Sequence, residues 1–216
     1  MTTPSSQSEL DRSNEKRRRS WAKQAPKYDR SMGFFERRVF GTDHRSWACS
    51  RATGDTLEVA IGTGLNIPIY EQAVRLTGID LSPEMLEIAR ERAAEVRRSV
   101  ELREGDAHAL SFPDASFDTV VCTYSLCNIS DPQCAVSEMK RVLRSGGRLI
   151  LVDHIRSHSS PLYWFQKVLE FFTRRLEGEN MTRRPADDVE IQGFDIVERE
   201  RLGPGGIVER LVAQKP

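Results

Sequence analysis

The sequence contains no long apolar run. None of its apolar stretches approaches the roughly 18 residues that a bilayer-spanning helix needs. The segment Met1 to Ser20 is polar and charged, where a secretory signal would be apolar. We therefore expect neither a transmembrane helix nor a secretory leader, and the chain is predicted to be soluble and cytoplasmic.

An excess of charge of either sign is also lacking. The 216 residues include 32 Lys and Arg against 32 Asp and Glu, so the formal net charge is zero. Broad nucleic-acid binding requires a surplus of cations that displaces counterions from phosphates, so we expect no nucleic-acid partner. The basic block Lys16 to Arg19 follows a polar segment, and residues 1–20 are predicted to be a disordered basic tail. It is either simply solvated or a site for acidic lipid or nucleic acid.

Cysteine is scarce, and its spacing fits no metal motif. The four cysteines are Cys49, Cys122, Cys127 and Cys134, and no two of them form a C-x-x-C pair. In a chain without secretory features they are predicted to be free thiols, and no metal site is expected.

The pattern that is present belongs to an α/β protein. From Thr56 to Gln214, short runs rich in Val, Ile and Leu alternate with segments of helical period, which is typical of a parallel sheet covered by helices on both faces. The last two strands are joined only by Gly203 to Gly206, which is too short for a crossover helix, so they must pair antiparallel. We predict a Rossmann-like seven-stranded, mostly parallel sheet with helices on both faces and a C-terminal antiparallel hairpin.

The same pattern divides the chain into segments. Residues 21–54 are predicted to be an N-terminal helical cap, with a helix over 34–49. Residues 55–216 form the main domain, with a lid insertion at about 156–192. Ser82 as N-cap and Pro83 at the first helical position predict the start of a helix. Other helical segments are expected over 67–73, 131–143 and 162–176, and strands over 56–60, 75–80, 100–104, 119–123, 148–153, 195–202 and 207–214.

Ligands of open parallel sheets bind at the carboxyl ends of the strands, and the residues there are informative. Gly62 and Gly64 follow the first strand, and two such glycines let a backbone approach a ligand closely. A nicotinamide fingerprint would have a third glycine three residues after Gly64, but Ile67 stands there. Because the third glycine is missing, the sequence does not favour a nicotinamide-dependent dehydrogenase.

Acidic residues follow the next two strands. Asp80 ends the second strand, sixteen residues after Gly64, where a carboxylate can accept both hydroxyl protons of a ribose. Asp106 and Ala107 follow the third strand and suit an adenine amino group, and Ser125 follows the fourth strand. A glycine turn, a ribose acid and an adenine acid after successive strands predict a nucleoside site.

Together these segments resemble the class I S-adenosylmethionine-dependent methyltransferases. The resemblance runs from about Tyr28 to the C-terminus. It implies a methyltransferase whose cofactor is S-adenosyl-L-methionine. The motifs that carry it are Glu58 to Gly64, Thr77 to Leu86, Gly105 to Ala107, Phe112 to Val121 and Arg141 to Gly147.

The resemblance also implies roles for individual residues. Gly62 and Gly64 would lie against the methionine part of the cofactor, Asp80 would hold the ribose, and Asp106 and Ala107 the adenine. Tyr28 resembles the family's N-terminal tyrosine near the sulfonium, although an aromatic residue that packs the first helix would look the same. The expected cofactor-binding set is Tyr28, Glu58, Gly62, Gly64, Asn66, Asp80, Leu81, Asp106, Ala107 and Ser125.

The methyl acceptor is less well defined. Asp153 and His154 end the fifth strand and are candidate catalytic residues, because an imidazole can remove a proton near neutral pH. A histidine that only hydrogen-bonds the lid is the alternative. Cys127 is interpreted as a buried small side chain rather than a reactive one.

Two subfamilies account for different segments of the chain. Val120 to Cys127, Val152 to His154 and Met181 to Arg183 are similar to thiol S-methyltransferases. Gly62 to Tyr70 and Gly78 to Met85 are similar to bacterial phosphatidylethanolamine N-methyltransferases. Because the first set includes the acceptor side, we expect a small hydrophobic thiol as acceptor. A phospholipid amine is the alternative, and a quinone ring is a more distant one.

Two further alternatives stay open. The aromatic stretch Leu162 to Phe172 is a lid over the acceptor, an interfacial helix that makes peripheral membrane contact, or a core or dimer contact. A noncatalytic S-adenosylmethionine-binding partner protein would have the same cofactor motifs.

Overall fold

A single seven-stranded sheet organises the chain. The structure is a computed structural model that describes residues 4–176 and 182–216. The strands are β1 (Asp55–Val59), β2 (Arg75–Asp80), β3 (Val100–Glu104), β4 (Phe117–Thr123), β5 (Leu143–His154), β6 (Asp195–Leu202) and β7 (Val208–Gln214). The α-helices are α1 (Pro4–Phe35), α2 (His44–Cys49), α3 (Pro83–Glu95), α4 (Pro132–Val142), α5 (Ser160–Leu176) and α6 (Pro185–Ile191).

The strand order is β3-β2-β1-β4-β5-β7-β6. All neighbouring pairs from β3 to β5 are parallel, whereas β7 pairs antiparallel with both β5 and β6. The predicted fold class, including the C-terminal antiparallel hairpin, is confirmed. The chain leaves β1 for β2 on one side and later returns to β4 on the other, so the order reverses at β1 and a crevice opens there.

The core lies on both faces of the sheet. One apolar cluster packs α4 and α6 against residues such as Leu57, Val120 and Leu149. The other cluster packs α2 and α3 against residues such as Val121 and Ile150. Consecutive strand residues therefore point to opposite clusters, as the alternation of side chains along a strand requires.

The N-terminal segment differs most from its prediction. Residues 4–35 form the long helix α1, where the sequence predicts a disordered tail over 1–20; residues 1–3 lie outside the described part. The polar composition suggested disorder, but polar contacts hold the helix on the domain. Asn14 Nδ2 donates to Asp106 Oδ2 at 2.6 Å, Arg17 donates to the Asn128 carbonyl, and Thr63 Oγ1 donates to Asp29 Oδ1 at 2.6 Å.

Other local predictions need correction. The predicted helix over 34–49 is divided into a π-helical turn, Glu36–Phe40, and α2. Residues 67–73 form turns rather than a helical piece. The fifth strand begins at residue 143, directly after α4, because Leu143 already pairs with Phe117 of β4. The N-cap prediction is confirmed, since the Ser82 side chain accepts a hydrogen bond from the Met85 amide.

The segment predicted as a lid, residues 156–192, contains α5 and α6. Its residues 177–181 lie outside the described part. Gln166 fastens α5 to the end of β5, because its Nε2 donates to the Ile155 carbonyl at 2.9 Å. Trp164 on the same helix is 69% exposed. The side chains of Phe165, Phe171 and Phe172, named in the lid prediction, lie outside the described part. In the described residues, no helix is long and apolar enough to cross a membrane.

Candidate active site

A cavity lies at the carboxyl ends of β1, β2, β3 and β4. Small-molecule sites of open α/β sheets occur at this edge of the sheet. Helix α1 covers one side of it with Asn14, Arg17, Trp21 and Tyr28. None of the described residues in 156–192 lines this cavity, and the helix that covers it is α1.

Most of the predicted cofactor residues meet in this cavity. Seven of the ten line it, and they come from α1 and from the loops after four different strands. They are Tyr28, Gly62, Asp80, Leu81, Asp106, Ala107 and Ser125. The other three, Glu58, Gly64 and Asn66, lie outside the lining.

The two glycines of the first loop have different surroundings. Both have positive φ, 58° at Gly62 and 76° at Gly64. A Cβ built on Gly62 would meet no heavy atom within 4 Å, because this α-carbon faces the cavity. A Cβ on Gly64 would lie 2.5 Å from Ile67 Cδ1 and 3.1 Å from the Ala89 side chain. Gly62 therefore leaves room for a ligand, whereas Gly64 leaves room for packing against α3.

Asp80 connects the glycine loop to the start of α3. Its Oδ2 accepts a hydrogen bond from the Gly62 amide at 2.9 Å, and its Oδ1 accepts one from the Ser82 amide at 2.9 Å. Burial raises the pKa of Asp80 to about 6, although hydrogen bonds from the backbone of Ser82, Gly62 and Leu81 lower it in part. Each carboxylate oxygen has a second acceptor position, so the group can still receive two ribose hydroxyls.

Asp106 faces the other end of the cavity. His108 approaches it twice, with its amide 2.9 Å and its Nδ1 2.5 Å from Asp106 Oδ1. Burial raises the pKa of Asp106, but the hydrogen bonds from His108 and Asn14 outweigh burial and hold the pKa below its ordinary value. Asp106 is thus an ionised acceptor at neutral pH, which suits an adenine amino group.

Glu58 and Asn66 belong to a buried polar network beneath the glycine loop. Asn66 Nδ2 donates to Glu58 Oε1 at 2.7 Å, and Tyr70 Oη donates to Glu58 Oε2 at 2.9 Å. Arg45 extends the network to Asn66 Oδ1 at 3.0 Å and to Thr123 Oγ1 at 3.2 Å. Burial raises the pKa of Glu58 to about 7. These residues hold β1, β4 and α2 together behind the cavity.

The predicted catalytic pair lies outside the cavity lining. Asp153 and His154 are 2% and 6% exposed. Asp153 Oδ2 accepts from the Cys127 amide at 2.9 Å, and Oδ1 accepts from the His154 amide at 2.8 Å. The side-chain ligand atoms of Cys127, Asp153 and His154 lie within 4.8 Å of one another, so a set of metal-ligating types exists where the sequence predicts none. The hydrogen bonds that the carboxylate accepts from these two backbone amides order the turn after β4 against the end of β5.

Sequence reasoning missed several residues of the cavity wall. Asn14, Arg17 and Trp21 follow one another at three- and four-residue spacing and share one face of α1 with the predicted Tyr28, seven residues further on. The spacing of these three residues indicated a common face, but two of them are polar. Another missed residue is Tyr124, directly after β4, whose backbone has the positive φ of 53°.

Known proteins confirm this assignment of the fold and cofactor. A family model described as a methyltransferase domain matches residues 57–151. Over 167 residues the chain is 39% identical to a phosphatidylethanolamine N-methyltransferase of Cereibacter sphaeroides, covering 75% of this chain and 80% of that protein. The chain belongs to the S-adenosylmethionine-dependent methyltransferases.

Other relatives of this methyltransferase carry other substrate names. A human thiol S-methyltransferase is 31% identical over 188 residues, covering 83% of this chain and 75% of that protein. A Thermus thermophilus demethylmenaquinone methyltransferase is 34% identical over 169 residues, covering 71% of this chain and 75% of that protein. The family and its cofactor, S-adenosylmethionine, are therefore established, and the acceptor is not.

Solved structures agree on the fold. An S-adenosylmethionine-dependent methyltransferase of Thermotoga maritima has a TM-score of 0.69 at 22% identity, covering 92% of this chain and 99% of that one. The [4+2]-cyclase SpnF has a TM-score of 0.66 at 21% identity, covering 81% of this chain and 80% of that one. Because a cyclase shares the fold, the sequence relatives rather than the fold identify this methyltransferase.

Asp80 provides a direct test of the cofactor site. Asp80→Asn keeps the shape of the side chain but removes its charge, so the charge-assisted hydrogen bonds to the ribose are lost. We expect the dissociation constant of S-adenosylhomocysteine to rise about 10- to 100-fold, since such bonds contribute about 1.5–3 kcal/mol. Calorimetric titration measures this change. Asp114→Asn, at an acid that is 78% exposed, is the matched control and should leave the affinity unchanged.

The raised pKa of Asp80 predicts pH-dependent cofactor affinity. With a pKa of about 6, the group is mainly a carboxylate at pH 8 and mainly protonated at pH 5. Only the carboxylate can accept from both ribose hydroxyls, so the dissociation constant should rise about tenfold from pH 8 to pH 5. The same titration on Asp80→Asn should show a smaller pH dependence. An equal dependence in both proteins would contradict this role of Asp80.

Proposed function

We propose that this methyltransferase acts on the amine headgroup of phosphatidylethanolamine. The observation that carries the proposal is a series of neighbouring aromatic rings that leads from the protein surface to the cavity. Phe34 and Phe35 are 54% and 46% exposed at the end of α1. Their ring centroids lie 5.8 Å apart, Phe35 stacks on Phe40 at 6.0 Å, and Phe40 stacks on Tyr124 at 5.5 Å.

This arrangement suits an acceptor with a polar head and apolar chains. Exposed aromatic residues with neighbouring cations are typical of surfaces that contact a membrane interface. Arg37 and Arg38, which follow Phe35 after Glu36, are exposed and can attract acidic headgroups. A headgroup would then reach Tyr124 in the cavity wall while the chains remain near Phe34 and Phe35.

The chemistry of the cavity wall also favours an amine. An amine held in its neutral form needs no dedicated base, whereas a thiol must lose its proton before it attacks. The described lining that is not assigned to the nucleoside includes Tyr28, Tyr124 and Ser125. These side chains are aromatic rings and hydroxyls, whereas the acids of the lining, Asp80 and Asp106, are expected to bind the nucleoside. Burial raises the pKa of Tyr28 to about 12, so its phenol stays neutral.

The sequence comparison supports the same acceptor. The phosphatidylethanolamine enzyme is 39% identical to this chain, compared with 31% for the human thiol enzyme. The preference for a thiol that the sequence analysis expressed depended on the segments around Cys127 and His154 lying on the acceptor side. The side chains of Cys127 and His154 are both buried and absent from the cavity lining.

Thiol S-methylation is retained as a second candidate for one reason. The His154 ring stacks on Phe40 at 5.9 Å, and Phe40 in turn stacks on Tyr124. The Phe40 ring therefore lies between the imidazole and Tyr124 of the cavity wall. For the imidazole to act on a thiol acceptor, Phe40 would have to move.

The acceptor is tested with S-adenosylmethionine labelled in its methyl group. The purified protein is incubated separately with phosphatidylethanolamine vesicles, a panel of small thiols, and demethylmenaquinone in detergent. We expect label in the phospholipid at a rate at least about tenfold above that of the other acceptors. Asp80→Asn is the control for enzyme-dependent transfer. Label that enters only the thiols, or only the quinone, would contradict the proposal.

The surface aromatic pair provides a second prediction. Phe34→Ser/Phe35→Ser should lower binding to vesicles of phosphatidylethanolamine and phosphatidylglycerol about tenfold or more, because each buried CH₂ contributes about 0.8 kcal/mol. Sedimentation with sucrose-loaded vesicles measures the binding. Ile191→Ser/Val197→Ser is the matched control, since these side chains are 63% and 57% exposed elsewhere on the surface. Equal loss in both double variants would contradict a specific membrane surface at α1.

A further inference from the structure

Tyr124 combines an unusual backbone with a buried hydroxyl group. Its φ of 53° lies in the left-handed region, which is uncommon for residues other than glycine. The residue is only 4% exposed, and within the described residues its Oη has no hydrogen-bond partner. Tyr124 also lines the cofactor cavity. Strained backbone and unsatisfied buried polar atoms concentrate at functional sites. Tyr124 has both features, so its hydroxyl is a candidate functional group.

The ring is held in place on several sides. It stacks on Phe40 with an interplanar angle of 20°, and the guanidinium carbon of Arg45 lies 5.2 Å from its centroid. The Tyr124 amide donates to the Val152 carbonyl at 2.7 Å, which anchors the strained backbone to β5. A phenol fixed in this way loses little rotational freedom when a ligand group reaches its oxygen.

The protonation state of the phenol limits what it can do. Burial raises the pKa of Tyr124 above its ordinary value, and the nearby Arg45 only partly offsets this. The group is therefore neutral at physiological pH. A neutral phenol oxygen accepts a hydrogen bond from an N–H group but does not remove its proton.

We propose that the Tyr124 hydroxyl is an acceptor-binding group that receives a hydrogen bond from an N–H of the amine being methylated. This inference rests on the proposed function. In the reaction, the nitrogen lone pair forms a bond to the methyl carbon, the carbon–sulfur bond breaks with its electron pair going to sulfur, and an N–H proton leaves to water. A hydrogen bond at one N–H orients the lone pair toward the methyl carbon, which is the alignment that an in-line displacement requires.

The number of N–H groups makes the proposal specific. A neutral primary amine has two, its monomethyl product has one, and its dimethyl product has none. Tyr124 can therefore assist the first two methyl transfers but not the third. A hydroxyl that merely supports the fold, or one that binds the cofactor, would affect all three transfers equally.

The test compares the Tyr124→Phe variant with wild type on vesicles of phosphatidylethanolamine, its monomethyl derivative and its dimethyl derivative. We expect kcat/KM to fall about tenfold on the first two and to change less than about twofold on the dimethyl lipid. Tyr163→Phe, at a tyrosine of α5 outside the cavity lining, is the matched control and should match wild type on all three. Calorimetry with S-adenosylhomocysteine checks that the Tyr124→Phe variant retains its fold and cofactor affinity.

The outcomes separate this inference from the proposed function. A uniform loss on all three lipids, or a loss of cofactor affinity in Tyr124→Phe, would overturn the role of Tyr124 while leaving the lipid activity intact. Equal kinetics of Tyr124→Phe and wild type would also overturn it. A wild-type protein that binds cofactor but transfers no methyl group to any of the three lipids would overturn both.

Discussion

The parallel pairing of β1 with both β2 and β4 is the constraint on which the site depends. Because the two neighbours lie on opposite sides of β1, their following loops diverge and leave a crevice at its carboxyl end. The glycine loop turns into this crevice, and the hydrogen bond from the Gly62 amide to Asp80 ties the ends of β1 and β2 together. The cofactor site is therefore a consequence of strand order, and the side chains only specify which ligand fits.

A second feature, the helix α1, converts the crevice into a covered cavity. It is attached mainly by polar contacts, among them Asn14 with Asp106, Arg17 with the Asn128 carbonyl, and Asp29 with Thr63 and Arg92. The same helix ends in the exposed Phe34 and Phe35. One element thus contacts the cofactor cavity along its length and presents an aromatic surface at its end, which links cofactor binding to the proposed approach of a lipid.

Much of this arrangement could be predicted from the sequence, and the failures have physical reasons. Asp80 and Asp106 were predicted because a residue at or just after the carboxyl end of a strand must lie at that edge of the sheet. Glu58 and Asn66 were expected in the same site, but chain position does not show which side of the loop a side chain faces, and both point into a buried network. The first half of α1, residues 4–20, was predicted as disordered because its stability comes from contacts with distant residues rather than from apolar periodicity.

The acceptor side was the least predictable, since strain and burial are not visible in a sequence. The residues around Tyr124 in the chain do not indicate its positive φ or its buried hydroxyl. His154 was expected to face the acceptor, but the Phe40 ring lies between His154 and Tyr124 of the cavity wall. Cofactor recognition uses motifs that are close together in the chain. Acceptor recognition combines the end of α1, the π-helical turn and the residues after β4, which only the folded chain brings together.

The most direct test of the central claim is a crystal structure of the full chain with S-adenosylhomocysteine. The account predicts that the ribose hydroxyls are hydrogen-bonded to Asp80, that the adenine lies beside Asp106 and Ala107, and that α1 covers the nucleoside with Asn14 and Trp21. A nucleoside bound away from the carboxyl ends of β1 and β2, or a ribose without contact to Asp80, would contradict it.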